Sequence, residues 1–593
     1  MFRRSLLLTC LLACIATSQN CPAQTPEDRT ATRRPNIVFI FCDDLTCQAI
    51  SAYGENRHLL ETPNIDRLAA QGARFDRCLV TNSICGPSRA TILTGKYSHR
   101  NGFYNNSNCT FDSSQTTFPK LLQAAGYQTA MIGKWHLVSD PTGFDYWHIL
   151  PGQGLYYNPP MIRNGEKVKL EGYTTDLISD LSIDWLKQRD RSRPFLLMSQ
   201  HKAPHRPFLP PPRFAHLYDD VEIPLPPTFD DDYKTRKVAG EAEDMRFDVS
   251  IASDYKDLPA GLTGTAKKRW LYQRFVKDYY GAIAAVDENL GRVLGYLDEQ
   301  KLTDSTLIIY TSDNGFFVGD HGWYDKRFMY EPSLRVPLIV RAPGERKPAV
   351  TEAMAVNIDI APTIIDYAGL PPAPWMQGRS LKPVVSGTVP ADWRKSVYYS
   401  YYENSWQLSG KGLEARSDPS FAFFTPHRIG PHRGVRTATH KLIHYYAEGD
   451  VWELFDLRKV PEELTNLYGT AGMEATTASL KAELERLTEQ AKQGIADYRA
   501  GRAAELVPRI VREVFPGALM HERLEPLHEF LLVERGELRV LDVRVVDLVL
   551  VGVDDRLERL VVLALALLDA EDDVAIHLDE AAIAVPGEAL VLG

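Results

Sequence analysis

The 593-residue chain is poor in cysteine, and the eight it has are confined to one end, between Cys10 and Cys109. That distribution is not that of a disulfide scaffold, even for an exported protein; Cys42, Cys47, Cys78 and Cys109 could pair, and the reading preferred is buried thiols. No long run of lysine or arginine offsets a formal net charge of −10, which excludes a nucleic-acid partner bound through its phosphates. Any polyanionic ligand must therefore meet a local basic pocket inside an acidic protein. No internal repeat is evident, and no apolar run reaches the length of a membrane span. The last stretch, residues 499–593, contains no Ser, Thr, Asn, Gln, Lys, Tyr, Trp or Cys. Turns draw on Asn and Ser, and strands on Thr and Tyr, so this is poor protein grammar. One reading is a valine-rich β appendage over RVLDVRVVDLVLVGVDD. The reading preferred here is an atypical tail produced by a frameshift into a GC-rich frame, to which no function is assigned.

What is present is globular composition, 44% hydrophobic and 24% charged, in a chain too long for one ordinary core. The N-terminus MFRRSLLLTCLLACIATSQNCPAQ has two arginines, a short apolar run, then small and polar residues, the layout of a secretory signal over residues 1–23. LLAC, ending at Cys14, also resembles a bacterial lipoprotein box, in which Cys14 carries the lipid. Cleavage after Ala23 and lipidation at Cys14 both stay open, and both imply export, to the periplasm, the medium or the cell surface. A membrane is involved only through that anchor.

After the polar stretch TPEDRTATRRP comes NIVFIF, an apolar run of strand length ending at Cys42-Asp43-Asp44. Continuous apolar runs bounded by turn residues indicate strands buried on both faces. The pattern recurs at Phe195–Met198 and Thr306–Tyr310, the latter running into Ser312-Asp313-Asn314-Gly315. Between them lie the helical stretches TPNIDRLAAQGARF, TFPKLLQAAGYQTA, TTDLISDLSIDWLKQR and a long one over residues 269–300. Strands alternating with helices predict an α/β fold with a mainly parallel sheet, whose sites gather at the C-terminal strand ends. From about Val397 the segments SVYYSYYE, RGVRTATHKLIHYY and VWELFDL predict short strands, and residues 475–498 a closing helix. The expected layout is a catalytic domain over 34–390 and a smaller α+β domain over 391–498.

Asp43-Asp44 and Asp313-Asn314, following two different strands, offer hard oxygen ligands that suit Ca²⁺ or Mg²⁺ better than zinc. Either pair alone reads as turn residues capping the next helix. Cys85 alters that balance. The stretch Cys85-Gly86-Pro87-Ser88-Arg89, followed by Leu93-Thr94-Gly95, matches C-x-P-S-R-x-x-x-L-T-G at every defined position. That is the signature of the formylglycine-dependent type I sulfatases of the alkaline phosphatase superfamily, which the chain resembles over roughly Arg34 to Gly344. RPNIVFIFCDDL, GYQTAMIGKWH, SDNGFFVGDHGWYDK and RVPLIVRAPG carry the likeness further, and RGVRTATHKLIHYY and WELFDL resemble that family's smaller domain.

The resemblance implies that a formylglycine-generating enzyme oxidises Cys85 to Cα-formylglycine. It also implies a divalent cation, calcium before magnesium, held by Asp43, Asp44, Asp313, Asn314 and the modified Cys85. Arg89 is then expected to hold the aldehyde hydrate. Lys134 and His136 fall on sulfate and hydrate contacts, and Lys326 on the second lysine. HKAPH offers both His201 and His205 as the site histidine. His205 is favoured, because the family often places this histidine directly after proline, with His201 kept as a substrate contact. The charge argument is coherent: a cation, two lysines and an arginine bind a sulfate ester and stabilise charge moving to its leaving oxygen. In the family scheme the hydrate attacks sulfur, a histidine with Lys326 nearby protonates the leaving alcohol, and His136 or a neighbouring acid acts as base.

HKAPHRPFLPPPRF, FDYWHILPGQGLYYNP and LYDDVEIPLPPTFDDDY look most like bacterial mucin-desulfating sulfatases related to N-acetylglucosamine-6-sulfatases. The expected substrate is a sulfated glycan carrying 6-O-sulfated N-acetylglucosamine, with other sulfated polysaccharides next. Trp147, Tyr156, Tyr157 and Trp323 are candidates for stacking on sugar rings, or for core packing. The competing readings are a phosphonate or phosphate ester hydrolase of the same superfamily, and a sulfoglycan-binding protein with a dead site, for which an intact oxidisable cysteine has no use.

Overall fold

The computed structural model describes residues 34–54, 60–344, 348–403 and 429–491, and four short strands beyond them. The leader, with Cys14, lies outside the described residues. Residues 34–491 fall in one compact unit and 492–593 in a second.

The first unit is built on a ten-stranded sheet. Its centre comprises β1 (Asn36–Asp43), β2 (Gln128–Lys134), β3 (Tyr146–Leu150), β4 (Phe195–Pro204) and β5 (Thr306–Ser312). These run parallel in the spatial order β5-β1-β4-β2-β3. β6 (Leu338–Arg341) pairs antiparallel with β5 and opens the mixed outer part of the sheet. Every residue from Ile37 to Asp43 is buried, as is all of β4 and β5, which is why these strands read as unbroken apolar runs. Because they are parallel, the polar residues that follow β1, β2, β4 and β5 emerge at one edge.

Helices cover both faces. α1 (Cys85–Thr94) is buried at every position. α2 (Gly264–Glu299) buries Phe275, Tyr279, Ile283, Val286 and Leu290 at helical spacing, one continuous core stripe. Two of the expected helices are shorter than the sequence pattern suggested. The one in TFPKLLQAAGYQTA covers Phe118–Ala124 only, because Gly126, at φ +90°, turns the chain and Gln128 begins β2. The one in TPNIDRLAAQGARF ends at Ala69, and Ala73–Phe75 is a strand.

Toward the C-terminus, β7 (Ser396–Tyr401), β8 (His432–Thr437), β9 (His440–Tyr445) and β10 (Val451–Asp456) form an antiparallel sheet, followed by a helix over 474–491. This sheet supports the loop that carries Lys326. The Tyr399 hydroxyl donates to the Arg327 carbonyl at 2.7 Å, and Tyr330 donates to Glu453 at 2.8 Å. The buried Lys441 ammonium bonds Glu463 at 2.6 Å and Glu331 at 2.8 Å.

In the second unit, Glu529–Glu534 pairs antiparallel with Glu537–Asp542, and Ile583–Val585 with Glu588–Leu590. The valine-rich stretch singled out above enters a strand only at its first four residues, and the rest lies outside the described residues. Of the expected thiols, Cys42, Cys47 and Cys78 are buried and Cys109 is half-buried, and none of the four forms a disulfide among the described residues.

Candidate active site

The edge formed by the ends of β1, β2, β4 and β5, together with the start of α1, gathers most of the predicted site residues. Asp43 closes β1 and Asp44 follows it; Lys134 closes β2; Asp313 and Asn314 follow β5; Cys85 opens α1, with Arg89 one turn on. All of these side chains are buried. α1 enters the edge closely. A Cβ at Gly86 would stand 2.5 Å from the Phe103 ring, and the Gly86 amide donates to Asn106 Oδ1 at 3.0 Å. That close approach explains a glycine directly after Cys85.

One oxygen-rich cluster lies at the centre. Ligand atoms of Asp43, Asp44 and Asp313 lie within 4.8 Å of one another, as do those of Asp43, Cys85 and His205. Asp313 is fully engaged. Its Oδ2 accepts from Arg89 Nε and Nη2 at 3.0 and 2.8 Å, and its Oδ1 from the Asp44 and Asn314 amides at 3.1 and 2.9 Å. Asp44 accepts from Lys326 Nζ at 2.6 and 2.7 Å, and Asp43 Oδ2 accepts from Lys134 Nζ. Asn314 Nδ2 donates to Asp44 Oδ1 at 2.7 Å and to the Gly315 carbonyl at 2.9 Å. Its Oδ1, like Asp43 Oδ1, is buried without a hydrogen-bond partner.

These two unpartnered oxygens, beside two further carboxylates, are the donor set of a hard divalent cation. The charges agree. Burial and the neighbouring Asp43 push the Asp313 carboxyl up to about 8. Asp43 is held well below the usual range, because Lys134 and other nearby cations outweigh the penalty of burial. Asp44 is raised as well, by burial first, so the three carboxyls resist ionising together, and a cation among them would favour the fully ionised set.

Arg89 is fixed rather than free. Besides its two bonds to Asp313, Nη1 donates to the Lys134 carbonyl at 2.6 Å and to Gln200 at 2.9 Å. Four of its five N–H groups are thus occupied. Burial and Asp43 raise the Cys85 thiol far above its ordinary value, so it is held protonated. Burial, then the charges of Lys134 and Arg89, lower His136 to about 2 and keep it neutral. Asp44, His136, Asp325 and Arg327 all adopt positive φ, at 66°, 57°, 80° and 94°. Non-glycine residues held in this region around one cluster mark stored backbone strain.

The two candidate histidines separate. Successive residues of a strand face opposite ways, and Gln200 faces Arg89, so His201 points to the other side, where the charge it feels is that of Asp176. Burial lowers it to about 4, and its Nδ1 has no partner. His205 comes to the cluster, with Nε2 3.7 Å from Asp44 Oδ2. Its Nδ1 lies 2.8 Å from the Arg206 carbonyl, an oxygen that only accepts, so Nδ1 carries the proton and Nε2 is the open nitrogen. Burial and Lys134 hold this ring neutral. His205→Gln is expected to lower kcat by about 10²- to 10⁴-fold, as loss of a proton-transfer group does. His201→Gln is expected to cost stability and leave kcat within a few-fold. Paired kinetics and thermal melts check both.

Lys202 and Gln153 belong to the cluster and were not read from the sequence. Lys134 Nζ donates to Gln153 Oε1 at 2.5 Å. Lys202 faces the same way as Gln200, and burial and Lys134 lower its ammonium to about 7. Its Nζ donates to the same Arg206 carbonyl at 2.9 Å, over the Tyr156 ring at 5.0 Å, while the Tyr156 hydroxyl donates to the His205 carbonyl at 2.6 Å. Lys202 and Tyr156 together clamp the turn that aims His205. Strand alternation from Gln200 would have pointed to Lys202; nothing local marks Gln153. Removing a charged hydrogen bond costs about 1.5–3 kcal/mol. Lys202→Met is therefore expected to lower kcat roughly tenfold or more with little change in KM, which steady-state kinetics would test.

Comparison with known proteins gives consistent results. The sulfatase family matches residues 35–370, and the N-sulphoglucosamine sulphohydrolase C-terminal family matches 408–490. An N-acetylglucosamine-6-O-sulfatase of Bacteroides thetaiotaomicron is 42% identical over 516 residues, covering 79% of this chain and 88% of the relative. The human N-acetylglucosamine-6-sulfatase is 29% identical, covering 74% and 82%. A solved protein in complex with its substrate D-glucosamine-2-N,6-O-disulfate superposes with a TM-score of 0.70 at 42% identity, over 78% of this chain and 99% of that one.

Proposed function

Because this chain belongs to the sulfatase family, we propose that it hydrolyses sulfate esters on carbohydrate, with a 6-O-sulfated N-acetylglucosamine unit of mucin or glycosaminoglycan fragments as substrate. The observation that carries this reading is the buried Cys85 beside a cluster in which Asp43, Asp44 and Asp313 face Arg89, Lys134 and Lys326. Once all three carboxylates are ionised they only balance the three cations, and no charge is left over to attract an anion. A divalent cation held by Asp43, Asp44, Asp313, Asn314 and Cys85, calcium before magnesium, tips the site positive and supplies a fixed charge for the oxygens of a sulfate ester.

Converted to formylglycine during maturation by a generating enzyme, Cys85 would supply a hydrated aldehyde: one hydroxyl attacks sulfur and displaces the sugar alcohol, and the other, on losing its proton, expels sulfate by C–O cleavage and regenerates the aldehyde. The remaining work falls to the chain's other residues. Lys134, gripped by Asp43 and Gln153, and Lys326, gripped by Asp44, present ammonium groups to the nonbridging oxygens. Arg89 has few N–H groups to spare and chiefly holds the β2 end and Asp313 in place around the hydrate. His205 Nε2, the nitrogen not tied to Arg206, takes the proton that the attacking hydroxyl gives up and returns it to the leaving oxygen, which departs as the alcohol. His136, neutral and beside Lys134, is suited to accept the hydrate's hydrogen bond.

The choice of sugar rests on the relatives and on the loops after β3 and β4. The proposed layout keeps a leader over residues 1–23 with export, the catalytic domain over 34–390, the smaller domain over 391–498, and no function for 499–593. No helix among the described residues is long and apolar enough to cross a membrane.

The deciding experiment pairs mass analysis of the peptide containing Cys85 with sulfate release from 6-O-sulfated N-acetylglucosamine by the same preparation. Aldehyde with release supports the whole reading. Aldehyde without release from this sugar, but with release from other sulfated glycans, overturns the substrate and keeps the reaction. Aldehyde with orders-of-magnitude preference for an aryl phosphate over the matched aryl sulfate overturns the reaction.

A further inference from the structure

A groove of about 620 Å³ lies between the 209–219 segment and residues 270–278 of α2, and takes no part in the chemistry above. That volume is in the range of small-molecule sites. Of the four aromatic residues considered for sugar stacking, Trp323 and Tyr156 are fully buried and Trp147 packs partly against the core. Tyr157 differs. It is 37% exposed and lines the groove with the half-buried Trp270. Its ring is held still, with its hydroxyl donating to the Pro210 carbonyl at 2.6 Å and its face tilted against Tyr173 at 5.2 Å.

The groove is polar as well as aromatic. Arg274 pairs with the buried Asp278 at 2.6 Å, and Lys277 reaches only a backbone oxygen, the Asp219 carbonyl at 3.3 Å. Flat rings beside fixed hydrogen-bonding groups and a cation held by no carboxylate suit a ligand with apolar faces, hydroxyls and negative charge. A sulfated sugar chain is such a ligand.

The groove and the site share one short chain segment. Adjacent tyrosines hold the two ends of one segment, Tyr156 at the His205 carbonyl and Tyr157 at that of Pro210. Five residues span at most about 18 Å. The groove wall therefore begins no farther than that from His205, within reach of an oligosaccharide whose end unit occupies the site.

We propose that this groove is a distal subsite for the non-reacting units of the glycan chain, with sugar rings on Trp270 and Tyr157 and a sulfate or carboxylate on Lys277. The inference rests on the glycan sulfatase reading above and deepens it.

The test compares a 6-O-sulfated N-acetylglucosamine monosaccharide with a sulfated oligosaccharide that carries it at the end, using wild type, Trp270→Ala and Lys277→Glu. Both variants are expected to keep kcat/KM for the monosaccharide within twofold. For the oligosaccharide, Trp270→Ala is expected to lose about threefold to tenfold, the scale of one aromatic contact. Lys277→Glu is expected to lose a similar factor that shrinks with added salt. Unchanged oligosaccharide turnover in both variants overturns the subsite, and so does an equal fall for both substrates. Should wild type release sulfate from neither substrate, the proposed substrate is what fails. Direct titration with the oligosaccharide then judges the groove: weaker binding by Trp270→Ala supports it, and equal binding overturns it.

Discussion

Replacing Cys85 with alanine is expected to abolish sulfate release, lowering kcat by about four to six orders of magnitude, the cost of removing a covalent nucleophile. No other nucleophile stands ready. Ser88 bonds Asn357 at 2.9 Å, and Ser83 donates to the Ser333 carbonyl. Serine at position 85 is expected to be equally inactive, because a plain hydroxyl yields a sulfated intermediate that needs a second attack at sulfur. Both variants are expected to fold. Cys85 is at the first position of α1, and the helix is held from elsewhere, by Gly86 to Asn106, Ser88 to Asn357 and Arg89 to Asp313. Kinetics on the purified variants, beside wild type with its Cys85 peptide confirmed as aldehyde, would check this. Turnover by the alanine variant within tenfold of wild type would rule Cys85 out as the nucleophile.

The second large effect concerns the cation. Chelation is expected to remove activity, and calcium to restore it better than magnesium, as oxygen donors from two loops accommodate the larger ion more readily. Stability should move in step. At a cation concentration a hundredfold above Kd, binding stabilises the fold by about 2.7 kcal/mol. That gain depends on pH in a definite direction. Without a cation, the Asp313 carboxyl is raised to about 8, whereas an unfolded aspartate titrates near 3.9. Between these values the folded chain holds a proton the unfolded chain has lost, so this group's contribution to stability falls as pH rises through that window. A bound cation favours the ionised carboxylate and cancels the loss. The rise in Tm on adding calcium should therefore be larger at pH 8 than at pH 5. A calcium shift independent of pH, or larger at pH 5, would contradict this account of the cluster.

Much of this was legible in the chain itself, for a physical reason. Strands buried on both faces must be apolar throughout, so NIVFIF and its counterparts stood out, and parallel strands bring the residues that follow them to one edge. Asp43, Asp44, Asp313 and Asn314 could therefore be grouped before any distance was known. Helix ends were less legible: the glycine at 126 could have been tolerated within a helix, and only its left-handed conformation ends it. The choice between His201 and His205 rested on likeness alone, until alternation along β4 turned His201 away and brought His205 to Asp44.

The sequence by itself determined the parallel sheet, the cysteine motif and the set of charged residues at the strand ends, because each is written in a local pattern of apolar runs or fixed spacing. Tertiary structure alone decided which of those charges touch. It bound Arg89 to Asp313 across 224 positions, left an oxygen of Asp43 and one of Asn314 buried without a hydrogen-bond partner, and brought Lys202 and Tyr156 to the turn that aims His205. Contacts of that kind depend on how distant segments pack together. Residue identity supplies the groups, but only the folded arrangement sets the few ångströms between them on which their charge and chemistry depend.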